Sequence, residues 1–484
     1  MRKEKDALGG MDIPDDAYYG IQTMRAVANF AVTDRSFNDL RCVIRAAAEV
    51  KKACAMTNRD IKALAPEKAE AIIKACDEII AGGLVGQFPV NAWRSHGTSV
   101  NMNVNEVIAN RANEILTGKK GYDQVHPNTH VNMCQSSNDI YPVTECIVLY
   151  REVGTALEGV KRLEKALAAK ALEFKDVVRL GRTCLQDAVP VTMGQAFAGF
   201  HALICRNRKR LEAFRPHFQE SVLGATAVGT GMGQLPGYRE KIHENLSAVV
   251  GFPMHLAASE DDVLPDAAVF DSMQNGDGLM ILGGYLKALA CAGGKIAQDL
   301  YLLSSGPRGG INEINLPAVA PGSSIMPGKI NPFLPELMIQ VMQKVSANEW
   351  TATLNCAESE LDLGFNSCAG FLAAMESLEL IGKGFALFAE RCVEGLTANK
   401  DVCREYAERS TSLSTMVSAL YGYEVGGRIA RIAYTEGITC KEAALREKLI
   451  PPDVAEELFD VGKLADRAAT VDMFRKYSGM RRVE

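Results

Sequence analysis

Apolar positions along this chain recur at helical rather than strand spacing. From Glu152 to Lys175, Leu157, Val160, Leu163, Leu167 and Leu172 recur every three to five residues with charges between them. That is the stripe of an amphipathic helix. The stretch from Leu279 to Leu303 is different. Leu279, Leu282, Leu286 and Leu289 keep helical spacing, but apolar residues cover nearly every side. A helix of that kind needs burial all round, which places it at the centre of a bundle that other subunits could complete. LPELMIQVMQKVSANEW at 334–350 repeats the pattern. Strand-like alternation is rare and short, and no internal repeat is present. The fold class expected is mainly α.

Two shifts in composition mark boundaries. HPNTHVNMCQSSN at 126–138 is polar and turn-forming, and GLTANK at 395–400 ends the long helices. The expected organisation is an N-terminal, mostly helical domain over 1–135, a central helical bundle over 136–395 and a small C-terminal helical domain over 396–484.

Composition narrows the function classes. The 484 residues are 47% hydrophobic and 23% charged, which excludes a disordered chain. Fifty-nine acids against 53 bases give a formal charge of −6, which argues against a nucleic-acid partner. The charged start MRKEKDALGG has no apolar run of a secretory signal. Lys287, Lys295, Gln298 and Asp299 interrupt the best candidate for a membrane span, so no membrane partner is expected. Thirteen cysteines show no zinc or disulfide spacing, and free thiols in the cytoplasm are the simplest reading. The seven histidines form no ligand pair at close helical spacing. His126 and His130 are four apart, but Pro127 and Asn128 argue for a loop there. No metal and no cofactor are expected, and no phosphate-binding glycine loop appears.

Four polar, hydroxyl-rich segments carry the candidate chemistry: GTSVNMN at 97–103, QSSND at 135–139, GRTCLQD at 181–187 and PGSSIMPGKINP at 321–332. The first three have structural readings as a helix start, an N-cap and a turn. The fourth crowds a Gly-Ser-Ser loop, a lysine and an Asn-Pro helix start into twelve residues. Amides, hydroxyls and an ammonium are all anion-binding groups, so the expected ligand is a small carboxylate.

These segments resemble the aspartase/fumarase superfamily. GSSIMPGKINP is similar to its signature. DAYYGIQT, GTSVNMNVNEVIANRA, QSSND, GRTCLQDAVP, GATAVGTG and GPRGGINEINLP match in order across nearly the whole chain. The resemblance implies a three-domain helical subunit in a homotetramer with a multi-helix core, and active sites shared between three subunits. It implies elimination across a succinyl-like substrate through an aci-carboxylate, a carbanion whose charge has moved into the neighbouring carboxylate. Ser323 would be the catalytic base. Thr98, Ser136, Ser137 and Ser324 would bind the carboxylate that gains charge, and Lys329 and Asn331 the other one. Asn138 and Thr183 would face the leaving amine.

Within the superfamily, DAYYGIQT, GTSVNMN, GINEINLP and Pro335-Glu336 resemble the ammonia-lyase branch, which implies L-aspartate going to fumarate. QSSND leans towards the hydratase branch. Cys184 stands where hydratases have histidine and reads as a small buried hydrophobe or a specificity residue. Arg94 and His96, in WRSHG at 93–97, are further specificity candidates. Met133 replaces a lysine usual in relatives, and ESELDLGFNSCAG at 358–370 departs from both branches. These departures suit an aspartate analogue or an amino acid betaine, as in an ergothionase-like lyase releasing trimethylamine. Fumarate hydratase is a further alternative. A non-catalytic helical scaffold is the reading from another class, and intact Ser323, Lys329 and Asn331 oppose it.

Overall fold

The computed structural model describes residues 1–93, 97–364, 368–477 and 479. Helix accounts for 63% of the chain, as the hydrophobic spacing predicts. In chain order the elements are β1 Arg2–Asp6, β2 Gly9–Ile13, α1 Ile21–Asn29, α2 Arg41–Asp60, α3 Pro66–Ile80, α4 Thr98–Thr117, α5 Ser137–Glu173, β3 Val178–Thr183, β4 Gln186–Thr192, α6 Met193–Phe214, α7 Tyr238–Val250, α8 Ala267–Gln274, α9 Asp277–Leu303, α10 Phe333–Ala357 and α11 Ala369–Phe388. Shorter helices follow from Lys400 to Tyr477. β1 with β2, and β3 with β4, are antiparallel pairs. All thirteen cysteines are free.

The chain forms two compact units. One comprises Met1–Leu157, Lys209–Ala288 and Lys344–Leu380; the other comprises Glu158–Arg208, Leu289–Gln343 and Ile381–Glu484.

In the first unit α2 packs on α3 and α7. Its Ala46, Ala47, Val50, Ala53 and Cys54 are buried, and Pro66 opens α3, where a missing N–H costs nothing. α4 is unusual, being polar yet buried. Asn101, Asn103, Asn105, Asn110 and Asn113 are all inside. Several of them hold loops by their backbone: Asn103 Nδ2 donates to the Gln87 carbonyl (2.9 Å), Asn110 Nδ2 to Tyr18 (2.8 Å) and Asn113 Nδ2 to Val125 (2.7 Å). Glu106 accepts from the backbone amides of Gly20 (2.8 Å) and Gln22 (2.9 Å) and from the Thr23 hydroxyl (2.7 Å). DAYYGIQT is therefore fastened to α4. Burial pushes the Glu106 carboxyl pKa up, against those hydrogen bonds.

Lys51, on the buried face of α2, is 1% exposed. Its ammonium donates to Asn132 Oδ1 (3.0 Å) and Gln135 Oε1 (2.7 Å). Asn132 Oδ1 also accepts from Asn101 and Asn105, both at 3.1 Å. Desolvation lowers the Lys51 pKa from 10.5 to about 8. The 126–131 segment is a turn of π-helix, Pro127–Val131, rather than the loop expected. Its histidines serve the backbone: His126 Nδ1 accepts from Asn128 (3.2 Å), and His130 Nδ1 from His126 (2.8 Å). Among the described residues no group of three His, Cys, Asp or Glu could hold a metal ion.

In the second unit, Val160, Leu163 and Leu167 of α5 are fully buried, as their spacing predicts. Leu172 is the exception at 73% exposed, because the helix ends one residue later. A methyl on Gly159 would overlap the carbonyl oxygen of Gly382, so this crossing of α5 and α11 brings backbone against backbone. Gly293 of α9 likewise faces the Phe385 ring at 2.8 Å from where its Cβ would stand. The segment from Ala407 to Tyr477 gathers its own apolar core, with Val417, Leu420, Ile429, Cys440, Ala455 and Leu458 nearly water-free.

α9 departs from the sequence reading in two ways. Its length and composition do suffice to cross a membrane, despite the interrupting charges, and 56% of its most apolar window is buried. Leu282, Leu286 and Leu289 are buried, but Ile281, Cys291 and Tyr301 remain exposed within one chain. Burial all round is therefore not reached in the single chain.

Two outcomes follow from this packing. Gly159→Ala should destabilise the protein by about 1–3 kcal/mol, since a close helix crossing cannot absorb a methyl; chemical denaturation measures this, and an unchanged midpoint contradicts it. Lys51→Met takes from the half-buried Gln135 Oε1 its ammonium donor, leaves Asn132 Oδ1 with only the Asn101 and Asn105 amides, and should cost about 1–3 kcal/mol. Between about pH 8 and 10.5 the unfolded chain keeps the Lys51 proton and the folded chain does not. The stability of wild type relative to Lys51→Met should therefore rise with pH across that window. A pH-independent difference contradicts the assignment.

Candidate active site

Thr98, Ser136, Ser137 and Asn138 belong to the first unit; Thr183, Cys184, Ser323, Ser324, Lys329 and Asn331 belong to the second. Arg94 and His96 lie outside the described residues, as do residues 365–367 of the 358–370 stretch.

In the first unit, QSSND does cap a helix. Ser136 Oγ accepts from the Asn138 amide (3.2 Å), and Asp139 Oδ1 accepts from the Ser136 amide (2.9 Å). Asp139, in the third helical position, returns the bond to the N-cap amide as in a capping box, while Ser136 caps the second helical amide. Ser137 Oγ accepts from Asn101 Nδ2 at 3.1 Å. Both serine oxygens thus act as acceptors toward the protein, which leaves each O–H proton to donate to a ligand. Asn138 Nδ2 donates to the Ala227 carbonyl (2.9 Å). Thr98 is the first residue of α4 and is exposed. The preceding Gly97 is needed because a Cβ there would lie 2.7 Å from Cβ of Tyr141. Tyr141 sits in the first turns of α5, so the start of α4 and the QSSND turn are neighbours.

In the second unit, GRTCLQD is the tip of a hairpin. Thr183 pairs with Gln186, and Cys184 and Leu185 make the two-residue turn with φ of 54° and 59°. Such turns need left-handed backbone at both positions, usually from Gly or Asn. Here two side-chain-bearing residues carry it at a cost of about 1–2 kcal/mol each. Cys184 is exposed, which corrects its reading as a buried hydrophobe: a tight turn has no interior in which to place a side chain. Arg182 Nη1 donates to Glu313 Oε1 (2.7 Å), and Arg179 Nη1 approaches Oε2 (3.4 Å). Glu313 has no exposed surface and lies in GPRGGINEINLP. The hairpin and that segment are thereby joined.

PGSSIMPGKINP forms an open loop before α10. Gly322 N–H donates to the Lys329 carbonyl (2.8 Å), and Asn331 Nδ2 donates to the Gly322 carbonyl (2.9 Å). These bonds close the neck of the loop. A Cβ on Gly322 would stand 2.7 Å from the Lys329 carbonyl oxygen, so only glycine fits. Ser323 Oγ accepts from two backbone amides, Ile325 (3.2 Å) and Met326 (3.0 Å). Ser323 and Lys329 line an open cleft of about 400 Å³, and Ser324 is exposed beside it.

The sequence reading passed over Lys51, Glu106, Asp139 and Glu313. Lys51 had a visible signal: it occupies a core position in the stripe of Ala47, Val50 and Cys54. Glu106 and Glu313 had none, because their partners are remote in sequence.

Comparison with known proteins fits this arrangement. Residues 9–347 match a family model described as Lyase. The chain is 38% identical over 467 residues to aspartate ammonia-lyase of Escherichia coli strain K12, covering 96% of each. It is 40% identical over 449 residues to the mitochondrial fumarate hydratase of Danio rerio, covering 92% of this chain and 86% of that one. Among solved structures, a fumarate lyase:delta crystallin from Brucella melitensis superposes with a TM-score of 0.90 at 41% identity, over 96% of this chain and 99% of that one. A family match over well more than half the chain, with near full-length relatives, places this protein in the aspartase/fumarase superfamily of lyases.

Proposed function

We propose that this protein is an ammonia-lyase that eliminates ammonia from L-aspartate to give fumarate, with Ser323 as the base. The carrying observation is the position of Ser323 Oγ, which accepts two backbone amides inside a loop that also presents Lys329. A serine removes a weakly acidic carbon-bound proton only as an oxyanion, and two aligned N–H groups favour that form. The proton leaves C3 of aspartate, its electron pair moves into the adjoining carboxylate, and a dianionic aci-carboxylate results. Thr98, Ser136, Ser137 and Ser324 donate hydrogen bonds to it. One such donor is worth about 2.7–4 kcal/mol in the transition state. Lys329 and Asn331 hold the second carboxylate, and Asn138 and Thr183 face the ammonia as it departs from C2. No step calls on a cofactor.

The donors fall into two groups along the chain, and we propose that a homotetramer completes the pocket from three subunits, each of three domains. Apolar side chains left exposed on the long helices support association: Ile281 of α9, Leu337, Trp350 and Leu354 of α10 and Leu387 of α11. A cytoplasmic enzyme fits the free thiols.

Fumarate hydration is the second reading, favoured by the two serines of QSSND and by the hydratase relative. Against it, the hairpin tip offers the Cys184 thiol where that branch has an imidazole to activate water. Specificity by Arg94, His96 and Cys184 for an aspartate analogue or a betaine belongs with the first reading.

Purified protein offered L-aspartate, L-malate or ergothioneine should release ammonia and an ultraviolet-absorbing product from L-aspartate. Turnover of malate alone would give the reaction to the hydratase, and trimethylamine from ergothioneine would give it to the betaine lyase. Ser323→Ala should lower kcat about 10²–10⁴-fold while the oligomer and its melting point stay as in wild type. Near wild-type turnover would remove Ser323 from the mechanism.

A further inference from the structure

We propose that Asp139 is a positioning residue: its buried carboxylate ties the QSSND turn to the GATAVGTG loop and so sets where Ser136, Ser137 and Asn138 present their donors. No role in the chemistry above is assigned to either Asp139 or the 224–231 loop. Asp139 has no exposed surface, so it cannot touch a ligand and acts only through its neighbours. Its two oxygens divide their work. Oδ1 accepts from the Ser136 amide (2.9 Å), while Oδ2 accepts from the amides of Gly224 (3.2 Å) and Thr226 (2.9 Å). Thr226 takes a φ of 58°, a left-handed conformation that side-chain-bearing residues avoid, and Gly224 one of 98°. At Thr226 the loop therefore adopts an unfavourable backbone angle, and at Gly224 one that glycine takes freely, where it aims both amides at one carboxylate. A second tie lies alongside, from Asn138 Nδ2 to the Ala227 carbonyl (2.9 Å). Beyond it Val228, Thr230 and Met232 are exposed. The loop thus stands beside the side chain proposed to face the amine, and Asp139 fixes both at once.

The kinetic part of this inference rests on the lyase reading; the loop tie rests on geometry alone. Asp139→Asn keeps the shape but turns one accepting oxygen into an NH₂ group that faces N–H donors. It should lower kcat/KM for L-aspartate by about 100-fold, the effect of displacing binding groups by roughly 1 Å, with KM raised. Hydrogen exchange of the amides at 136–138 and 224–227 should quicken while the melting point moves by only a few degrees. A fall in kcat with KM unchanged would mean fewer folded molecules and would overturn the positioning role, as would faster exchange with wild-type kinetics. Wild-type protein supplies a test that needs no variant: the amides of Gly224 and Thr226 should exchange more slowly than those of Ala227 and Val228, and equal rates would overturn the tie. Should wild type leave L-aspartate untouched, the proposed function fails, and these exchange rates still decide on Asp139.

Discussion

A buried backbone amide without an acceptor costs more than most single contacts contribute. A lyase of this superfamily must nonetheless leave polar groups pointing at a substrate rather than at the protein. Here the conflict is met by buried carboxylates and carboxamides, Glu106 and Asp139 on helices and Glu313 in the segment before α10. Glu106 satisfies the backbone of DAYYGIQT, Asp139 satisfies two loops and Glu313 takes up two arginines. With those demands met internally, the serine oxygens of QSSND act as acceptors toward Asn138 and Asn101, which is compatible with the donor role proposed for their hydroxyls.

The same constraint explains which parts of the molecule could be read in the sequence. Helical stripes such as Val160, Leu163 and Leu167 were legible, because apolar spacing reports burial directly. α4 was legible only as a helix start. Its asparagines look like surface residues, and nothing in a linear pattern reveals that Asn110 and Asn113 reach carbonyls belonging to other segments. β1 and β2 escaped because charged residues on both strands blur the alternation. The four polar segments stood out as candidate chemistry by their density of hydroxyls and amides. The anchors beneath them did not, since a single buried acid resembles any other acid until its partners are known.

Cys184 and α9 show where sequence reasoning misjudged the environment. A cysteine is usually buried, but two residues that turn a hairpin have no inside. An all-apolar helix implies burial on every side, yet Ile281 and Tyr301 stay exposed in one chain. Within one chain the expectation from composition is therefore not met at those positions of the helix.

The central claim is that donors from separate segments are arranged for a doubly negative carboxylate rather than for the substrate itself. A nitro analogue of succinate tests this, because its ionised nitronate is planar and carries negative charge on both oxygens where the aci-carboxylate would have its two. Transition-state mimics bind about 10²–10⁸-fold more tightly than ground-state ligands. Calorimetric titration should find the nitronate bound at least about 100-fold more tightly than succinate. Equal affinities for the two would contradict the account.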